Sequence, residues 1–474
     1  MLKGKRILVG VTGGIAAYKS AELVRQLVRK RATVHVVMTE GAQHFITPMT
    51  MQTLSGNPVG TSLWDLTHES KIGHIDLARD VDVMVVAPAT ANFIAKAANG
   101  IADDLLSTVM LATTVPIVFA PGMNKSMWDN PITRRNVATL KELRHITVVG
   151  PDAGELACGE EGNGRMSDPV TILDAVIYAA RTEKDLAGEK VLISAGPTIE
   201  DIDPVRFLSN RSSGKMGLAM AREARSRGAE VTLVLGPTSR TIPWGVQTIK
   251  VRSASEMHAA VTDHARDAQV VIMTAAVADF SPSRTLTEKL KKEKAKSVPL
   301  LLEPTTDILR ELGNQKGRKQ FLVGFAAESQ RILTNAKKKL KEKSLDLIVA
   351  NDITNPHAGF SADTNIVRVI DRKGHTDEWP LLPKWEVSRR LFDTIQQKRA
   401  AAPSSRKRTT RSRSGGGGSR GTSSRGGSRS TSRGGSRKPK ADAATENAAP
   451  AKQTATKPAP SKPATTKPEP KPET

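Results

Sequence analysis

The chain reads as an α/β protein built from two doubly wound domains in tandem, followed by a disordered basic tail. Three observations predict this. Short apolar runs alternate with amphipathic helical segments, the pattern of a parallel sheet covered on both faces. After the polar stretch 181–189 (RTEKDLAGE), the order strand, glycine turn, helix begins again. Near residue 399 the composition changes to Arg, Gly, Ser, then Lys, Pro and Ala.

Residues 5–11 (KRILVGV) suit a buried strand, leading through Thr12-Gly13-Gly14 into a helix over 15–30. Leu23 with Leu27 and Val24 with Val28 supply that helix with an i, i+4 apolar face. A strand follows at 33–38, and the runs 82–87 and 116–120 each enter a polar or glycine turn. Asp168-Pro169 provides an N-cap and first-turn proline for a helix to residue 180. In the second half, strands are predicted at 190–195, 230–235, 269–274, 320–324 and 345–350, with a helix over 213–227. The domains are thus 1–181 and 190–398, both Rossmann-like, joined by a linker at 182–189, with the tail at 399–474.

More than half of the net charge of +23 lies after residue 400, where 17 Lys and Arg face 4 Asp and Glu. That tail has no aromatic residue and buries too little apolar surface to offset the entropy of ordering. The absence of a long apolar run excludes a transmembrane helix. A basic N-terminus that turns at once into a strand does not make a signal peptide. With a single cysteine, Cys158, there is no disulfide framework, and a cytoplasmic location is expected.

Ligands of open parallel sheets bind at the carboxyl ends of the strands. Thr12-Gly13-Gly14-Ile15 occupies such a place and offers amides to a phosphate. It is neither a dinucleotide fingerprint nor a Walker loop, so a plain tight turn also fits. Pro88-Ala89-Thr90-Ala91-Asn92, Ser107-Thr108 and Pro121-Gly122-Met123-Asn124 bring small residues and hydroxyls that a flat cofactor can approach. His74, between Gly73 and Ile75, is titratable, though a lone histidine is more often structural. Cys158 lies among Gly154, Gly159, Gly162 and Gly164, which describe a flap, and beside Glu155, Glu160 and Glu161, which disfavour a thiolate. A protonated thiol gives a proton more readily than it attacks.

Segments 12–19 (TGGIAAYK), 73–75, 88–92, 123–124 and 157–166 resemble, in order, the FMN-dependent cysteine decarboxylases of coenzyme A biosynthesis. Segments 209–217 (SNRSSGKMG), 275–280 (AAVADF), 288–291 (EKLK) and 345–352 resemble the phosphopantothenate–cysteine ligases of the same pathway. The chain to about residue 397 is therefore similar to the fused bacterial enzymes, with a flavoprotein domain first and a ligase domain second. The resemblance implies that FMN is held by Gly13, Gly14, Ile15, Thr39, Pro88, Ala89, Thr90, Asn92, Ser107 and Met123. It implies that the substrate's Cβ is oxidised to a thioaldehyde, which accepts the electrons of decarboxylation, and that reduction then completes the cycle. His74 would assist oxidation as a base near the thiol, Asn124 would hold the carboxylate and Cys158 would donate the proton. Arg165 and Met166 would complete a flap that excludes water.

For the second domain the resemblance implies attack of 4'-phosphopantothenate on the α-phosphorus of CTP, then displacement of CMP by cysteine. Arg206 and Asn210 match positions at the acyl-phosphate junction. Asp279 and Lys289 match nucleotide-site positions, with Mg2+ bridging Asp279 to the phosphates. Ala275, Ala276, Asp307, Ile308, Phe325, Lys339 and Lys343 complete the substrate contacts, and Gly214-Lys215 opens a helix suited to an anion. Two departures stand out: Gly122 replaces the usual alanine, and Thr306 replaces the usual proline before Asp307-Ile308, freeing the turn there. Trimeric flavoprotein units and paired ligase domains are the implied assembly. The tail, with Arg425-Gly426-Gly427 and Arg433-Gly434-Gly435, is either a solubilising spacer or a weak, salt-sensitive tether to an anionic partner. A flavin-binding regulatory protein with a nucleic-acid tail is the alternative; its mark would be loss of His74, Asn124 or Cys158, and all three are present.

Overall fold

The structure, a computed structural model, describes residues 2–64, 74–143, 145–155, 159–291, 299–328, 330–352, 359 and 362–401. The expected tail lies outside the described residues apart from its first three, as does Cys158.

The first sheet holds β1 (Arg6–Val11), β2 (Thr33–Met38), β3 (Val59–Gly60), β4 (Val83–Ala89), β5 (Ile117–Pro121) and β6 (Ile146–Val148), in the order β3-β2-β1-β4-β5-β6. All pairings are parallel, with Val9 level with Val36 on one side and Val85 on the other. Period-two alternation sends Ile7, Val9 and Val11 into one core and Leu8 into the other, so both faces are dry. The helix expected at 15–30 is Ala17–Arg29. Leu23, Val24 and Leu27 are buried in it, but Val28 is 37% exposed and does not join the apolar face. The helix Pro169–Ala180 starts with proline as expected, yet Asp168 makes no side-chain cap. Its carboxylate instead meets Lys19 at 3.3 Å and Arg165 at 3.2 Å, two cations that outcompete a neutral amide.

Where glycines predicted a flap, an antiparallel pair forms from β7 (Asp152–Glu155) and β8 (Glu161–Arg165). Residues 156–158 between these strands are outside the described set.

The second domain contains β9 (Lys190–Ala195), β10 (Ile199–Asp201), β11 (Phe207–Ser209), β12 (Glu230–Leu235), β13 (Gln247–Lys250), β14 (Val270–Met273), β15 (Phe280–Pro282), β16 (Leu302–Pro304), β17 (Phe321–Glu328), β18 (Leu347–Asp352), β19 (Thr364–Asp371) and β20 (Thr376–Pro383). Its main sheet runs β13-β12-β9-β14-β17-β18-β19-β20, with β10-β11 and β15-β16 as small separate pairs. The last two main-sheet strands were not predicted. They pair antiparallel, turning at Gly374 with φ of 87°. The helices Lys215–Ser226 and Lys384–Ala400 cover one face over Val191 and Ile193. The helices Ala254–Ala265, Ile308–Gln315 and Ile332–Glu342 cover the other over Leu192 and Val271.

Both sheets lie in one compact unit. The stretch expected as a polar linker is packed: Leu186 is fully buried, and Lys184 sits 3.5 Å from the centre of the Tyr178 ring. Arg227, 2% exposed, binds Glu223, Asp185 and Asp393, tying this stretch to two helices of the second domain.

Candidate functional site

In the first domain, the tips of β1, β4 and β5 meet. The Thr12 hydroxyl donates to the Pro88 carbonyl at 2.8 Å and accepts from the Thr90 amide at 3.2 Å. Thr90 in turn caps the helix Ala91–Asn99, accepting from the Phe93 amide. A Cβ on Gly13 would lie 2.8 Å from the Gly41 carbonyl carbon, so only glycine lets this loop touch the segment after Thr39. The Thr39 amide donates to the Val11 carbonyl at 3.0 Å. Gly14 lies beside Thr90 and Pro88, and Gly122 beside Pro88 and Met166. The structure thus brings Gly13, Gly14, Thr39, Pro88, Ala89, Thr90 and Met123 onto neighbouring strand tips. Ile15 is 60% exposed next to them, and Asn92 is exposed in the first turn of its helix. An alanine at 122 would put its Cβ 3.2 Å from that of Met166, so the departure to glycine loosens this packing slightly.

Two expected members have other duties. Ser107 is buried and its hydroxyl closes a capping box with Asp104. Met166 is buried in the core, where it anchors the foot of the flap instead of presenting its side chain to a ligand.

The flap packs directly on Asn124. Its Nδ2 donates to Glu160 at 3.1 Å, while its Oδ1 accepts from the Ser126 amide at 2.7 Å. The Met123 amide donates to the Gly164 carbonyl at 2.9 Å, and a Cβ on Gly164 would strike the Met123 oxygen at 2.4 Å. At the flap's foot, Lys19 donates to the Met166 carbonyl at 3.0 Å. Burial alone would raise the Asp168 carboxyl, but Lys19 and Arg165 outweigh it and hold its pKa below the usual value. Lys19 was legible only as part of a motif; its role needed the fold. His74 begins the helix His74–Arg79, and its side chain is outside the description.

The second domain has a cavity of about 450 Å³ at the carboxyl ends of β14, β17 and β18. Of the expected residues, Asn210, Ala275, Ala276, Asp279, Asp307, Ile308, Phe325, Lys339 and Lys343 line it. Asn210 donates to the carbonyls of Ala276 and Val277 at 3.1 and 3.0 Å. Lys343 pairs with Asp307 at 2.9 Å and Lys339 with Glu328 at 2.7 Å. Burial would raise the Asp307 carboxyl, but the bond from Lys343 and the Arg310 amide bring it below the normal value. The loop without its proline is held by Thr305 instead, whose hydroxyl donates to the Ala278 carbonyl and whose amide donates to that of Asp279.

Arg206 and Lys289 do not line the cavity. Arg206 is tied to the segment that carries Lys289 through Asp203, which accepts from Arg206 at 2.7 Å and from the Leu290 amide at 3.2 Å. Burial raises the Asp203 carboxyl, but amides of Val205, Leu290 and Arg206 and the guanidinium prevail, lowering it to about 2. Among the described residues no group of three His, Cys, Asp or Glu side chains could hold a metal ion. Lys384 and Asn365, which line the cavity from β19 and the last helix, were missed. Their signal is faint, a lone lysine after Pro383 and an asparagine opening an alternating strand.

Two family models match the chain: "Flavoprotein" over residues 1–181 and "DNA/pantothenate metabolism flavoprotein C-terminal domain" over 186–398. The coenzyme A biosynthesis bifunctional protein CoaBC of Bacillus subtilis is 46% identical over 400 residues, covering 84% of this chain and 97% of that protein. The chain belongs to the family of bifunctional coenzyme A biosynthesis proteins. The CoaBC protein of Escherichia coli K12 is 44% identical over 396 residues, covering 83% of this chain and 97% of its own length. Among solved structures, the C-terminal domain of a CoaBC protein aligns with 45% identity and a TM-score of 0.39, covering 45% of this chain and 96% of that one. The FMN-binding protein AtHal3 aligns with 36% identity and a TM-score of 0.33, covering 37% and 95%. The flavoprotein match precedes the C-terminal-domain match, and the last 76 residues follow the second. No helix among the described residues is long and apolar enough to cross a membrane.

Proposed function

We propose that the second domain joins 4'-phosphopantothenate to cysteine using CTP, through an acyl-cytidylate, and that the first, with FMN, decarboxylates the product to 4'-phosphopantetheine. What carries this reading is family membership across both domains of one chain, with a ligand-type cluster of strand tips in each.

The first cluster fits FMN. Its glycine loop runs into the helix Ala17–Arg29, whose first-turn amides suit a phosphate, while Ile15 and Met123 are apolar neighbours for a flat ring. Gly13, Gly14, Ile15, Thr39, Pro88, Ala89, Thr90 and Asn92 would hold it, with Ser107 contributing through its helix. Bound there, FMN supplies a reversible two-electron acceptor for the substrate's cysteinyl carbon. Asn124 already donates its amide to a carboxylate, that of Glu160, and offers the same bond to the substrate's carboxylate. His74 acts as the base near the thiol and Cys158 as the proton donor. Arg165, tied to Asp168, keeps the flap seated while water is excluded.

In the second domain, Mg2+ commonly takes one or two carboxylates and completes its shell with phosphates and water. The exposed Asp279 at the cavity suits that role, and among the described residues no group of three ligating side chains makes an all-protein cage. Lys339 and Lys343 neutralise the triphosphate, Phe325, Asp307 and Ile308 border the nucleotide, and Asn210, Ala275 and Ala276 orient the acyl group; Lys289 and Arg206, which do not line this cavity, are assigned to the triphosphate and the acyl group by family resemblance alone. Exposed Ile15, Tyr18, Phe45 and Met49 suit contacts between flavoprotein domains in a trimer. Exposed Val205, Phe207, Phe280 and Leu301 suit pairing of ligase domains. A cytoplasmic location accords with these substrates.

Purified protein should be yellow. Supplied with 4'-phosphopantothenate, cysteine, CTP and Mg2+, it should release carbon dioxide and form 4'-phosphopantetheine. A colourless protein that makes no CTP-dependent amide would sink the reading.

A further inference from the structure

Two helices, packed on one another, reach from one site to the other. The helix Pro169–Ala180 starts at the foot of the flap, where Lys19 and Arg165 hold its first flanking residue, Asp168. The helix Lys215–Ser226 starts at the cavity of the second domain, which Gly214, Lys215 and Met216 line. Neither helix has a side-chain cap, so the first turn of each depends on its surroundings for order. The later turns of both meet at the joint between the domains.

That joint is dry and specific. Asp174 accepts from the Arg222 Nε at 3.0 Å, and Arg181 pairs with the fully buried Glu223 at 3.0 Å. The Arg225 guanidinium lies 4.3 Å from the centre of the Tyr178 ring and 5.1 Å from that of Trp244, with the two rings 5.5 Å apart. Trp244 belongs to the second domain, yet it packs against the core of the first. The Arg225 Nε is buried without a hydrogen-bond partner, so this cation is committed to the rings. Only glycine at 245 lets the loop pass, because a Cβ there would lie 2.6 Å from that nitrogen. A cavity of about 20 Å³ between Asp174, Arg222, Arg225 and Trp244 has room for one water. Burial raises the Asp174 carboxyl in spite of Arg222. Contacts packed this closely pass a displacement on instead of absorbing it. None of these groups is used by the two reactions.

Resting on the flavin and nucleotide sites proposed above, we propose that this helix pair links them, so that a ligand ordering the start of one helix also orders the start of the other. The link runs from the helix Ala17–Arg29 through Lys19 and Asp168 into Pro169–Ala180. It then crosses at Arg222, Arg225 and Trp244 into Lys215–Ser226. Such a linkage is reciprocal: nucleotide in the second domain tightens the first by the factor with which flavin tightens the second. Arg225 and Trp244 are positioning residues, since neither lines the cavity and both act through the helices.

The test is amide hydrogen exchange of the full chain, stripped of flavin or reloaded with FMN, read at residues 12–17 and in both helices. In the wild type, FMN should slow exchange at 12–17 and, about fivefold or more, in the first turns of Lys215–Ser226. CTP with Mg2+ should do the same in the first turns of Pro169–Ala180. Arg225→Met and Trp244→Ala should keep the slowing at 12–17 and lose it across the joint. Arg225→Lys, which keeps a cation over the rings, should retain part of it. Arg252→Met removes the ion pair with Asp201 elsewhere in the second domain; as the control for lost stability, it should keep both responses. A joint that is only structural would leave the responses to ligand in place in the variants, however unstable, and that result would overturn the link. So would a wild type in which neither ligand changes exchange in the opposite helix. If FMN gives no slowing even at 12–17, the flavin site itself is refuted, and the CTP arm still decides the link.

Discussion

Replacing Gly164 by alanine tests whether the β7–β8 flap must seat on the backbone that carries Asn124. Gly164 has φ of 155°, a conformation L-residues avoid, and its added Cβ would lie 2.4 Å from the Met123 oxygen and 3.3 Å from the Lys125 amide nitrogen. The obstacle is backbone, so no side chain can turn away. Strain of this kind costs about 1–3 kcal/mol. If it falls on the closed flap, kcat/KM for decarboxylation drops roughly five- to 150-fold. A displaced Asn124 would add to the loss, since small misplacements of binding groups are expensive in rate. The assay is carbon dioxide release from 4'-phosphopantothenoylcysteine, with amide formation by the second domain measured on the same protein and expected to be unchanged. Gly56→Ala is the control: φ is 72°, nothing lies within 4 Å of its Cβ, and only stability should suffer. Decarboxylation by Gly164→Ala within twofold of wild type, with an unchanged melting point, would refute the reasoning.

Cys158→Ser should keep bound flavin and ligase activity while decarboxylation falls at least a hundredfold, read from absorbance and carbon dioxide release. Arg227→Met should leave the fully buried Glu223 with Arg181 as its remaining cation, costing about 3–5 kcal/mol and lowering the second domain's melting midpoint by roughly 10 °C in calorimetry. Asp203 has a folded pKa of about 2, below its unfolded value near 4, so its contribution is present above pH 4 and lost as pH falls toward 2. Asp203→Asn should therefore flatten the acid limb of the second domain's stability curve, measured by urea unfolding between pH 5 and pH 2.

Much of the architecture was legible because a covered parallel strand announces itself. The runs 190–195 and 230–235 coincide with β9 and β12, since every second residue must be apolar on each face. β19 and β20 were missed because Thr364–Asp371 is half-exposed in alternation and its partner carries Glu378 and Pro380. The flap's strand pairing was not read because eight of residues 152–165 are glycine or acidic. Its pairing is set by Gly154 and Gly164 seating on neighbouring backbone and side chain, which local propensity does not encode. Asp168 was read as a cap because that is its local option; Lys19, 149 residues away, decided otherwise.

The sequence by itself determined the order of the two domains, the glycine turns at the strand tips and the family to which they belong. Those features are local: periodicity, glycine turns and contiguous motifs survive without coordinates. Tertiary structure alone decided which side chains are spent on the fold, as with Ser107 and Met166, and which distant groups share a site. Lys215 and Lys384 are 169 positions apart, and only the packing of two helices on one sheet face brings both to a single cavity. Burial, helix dipoles and neighbouring charges act through space, so their effect on Asp203 could not be read along the chain.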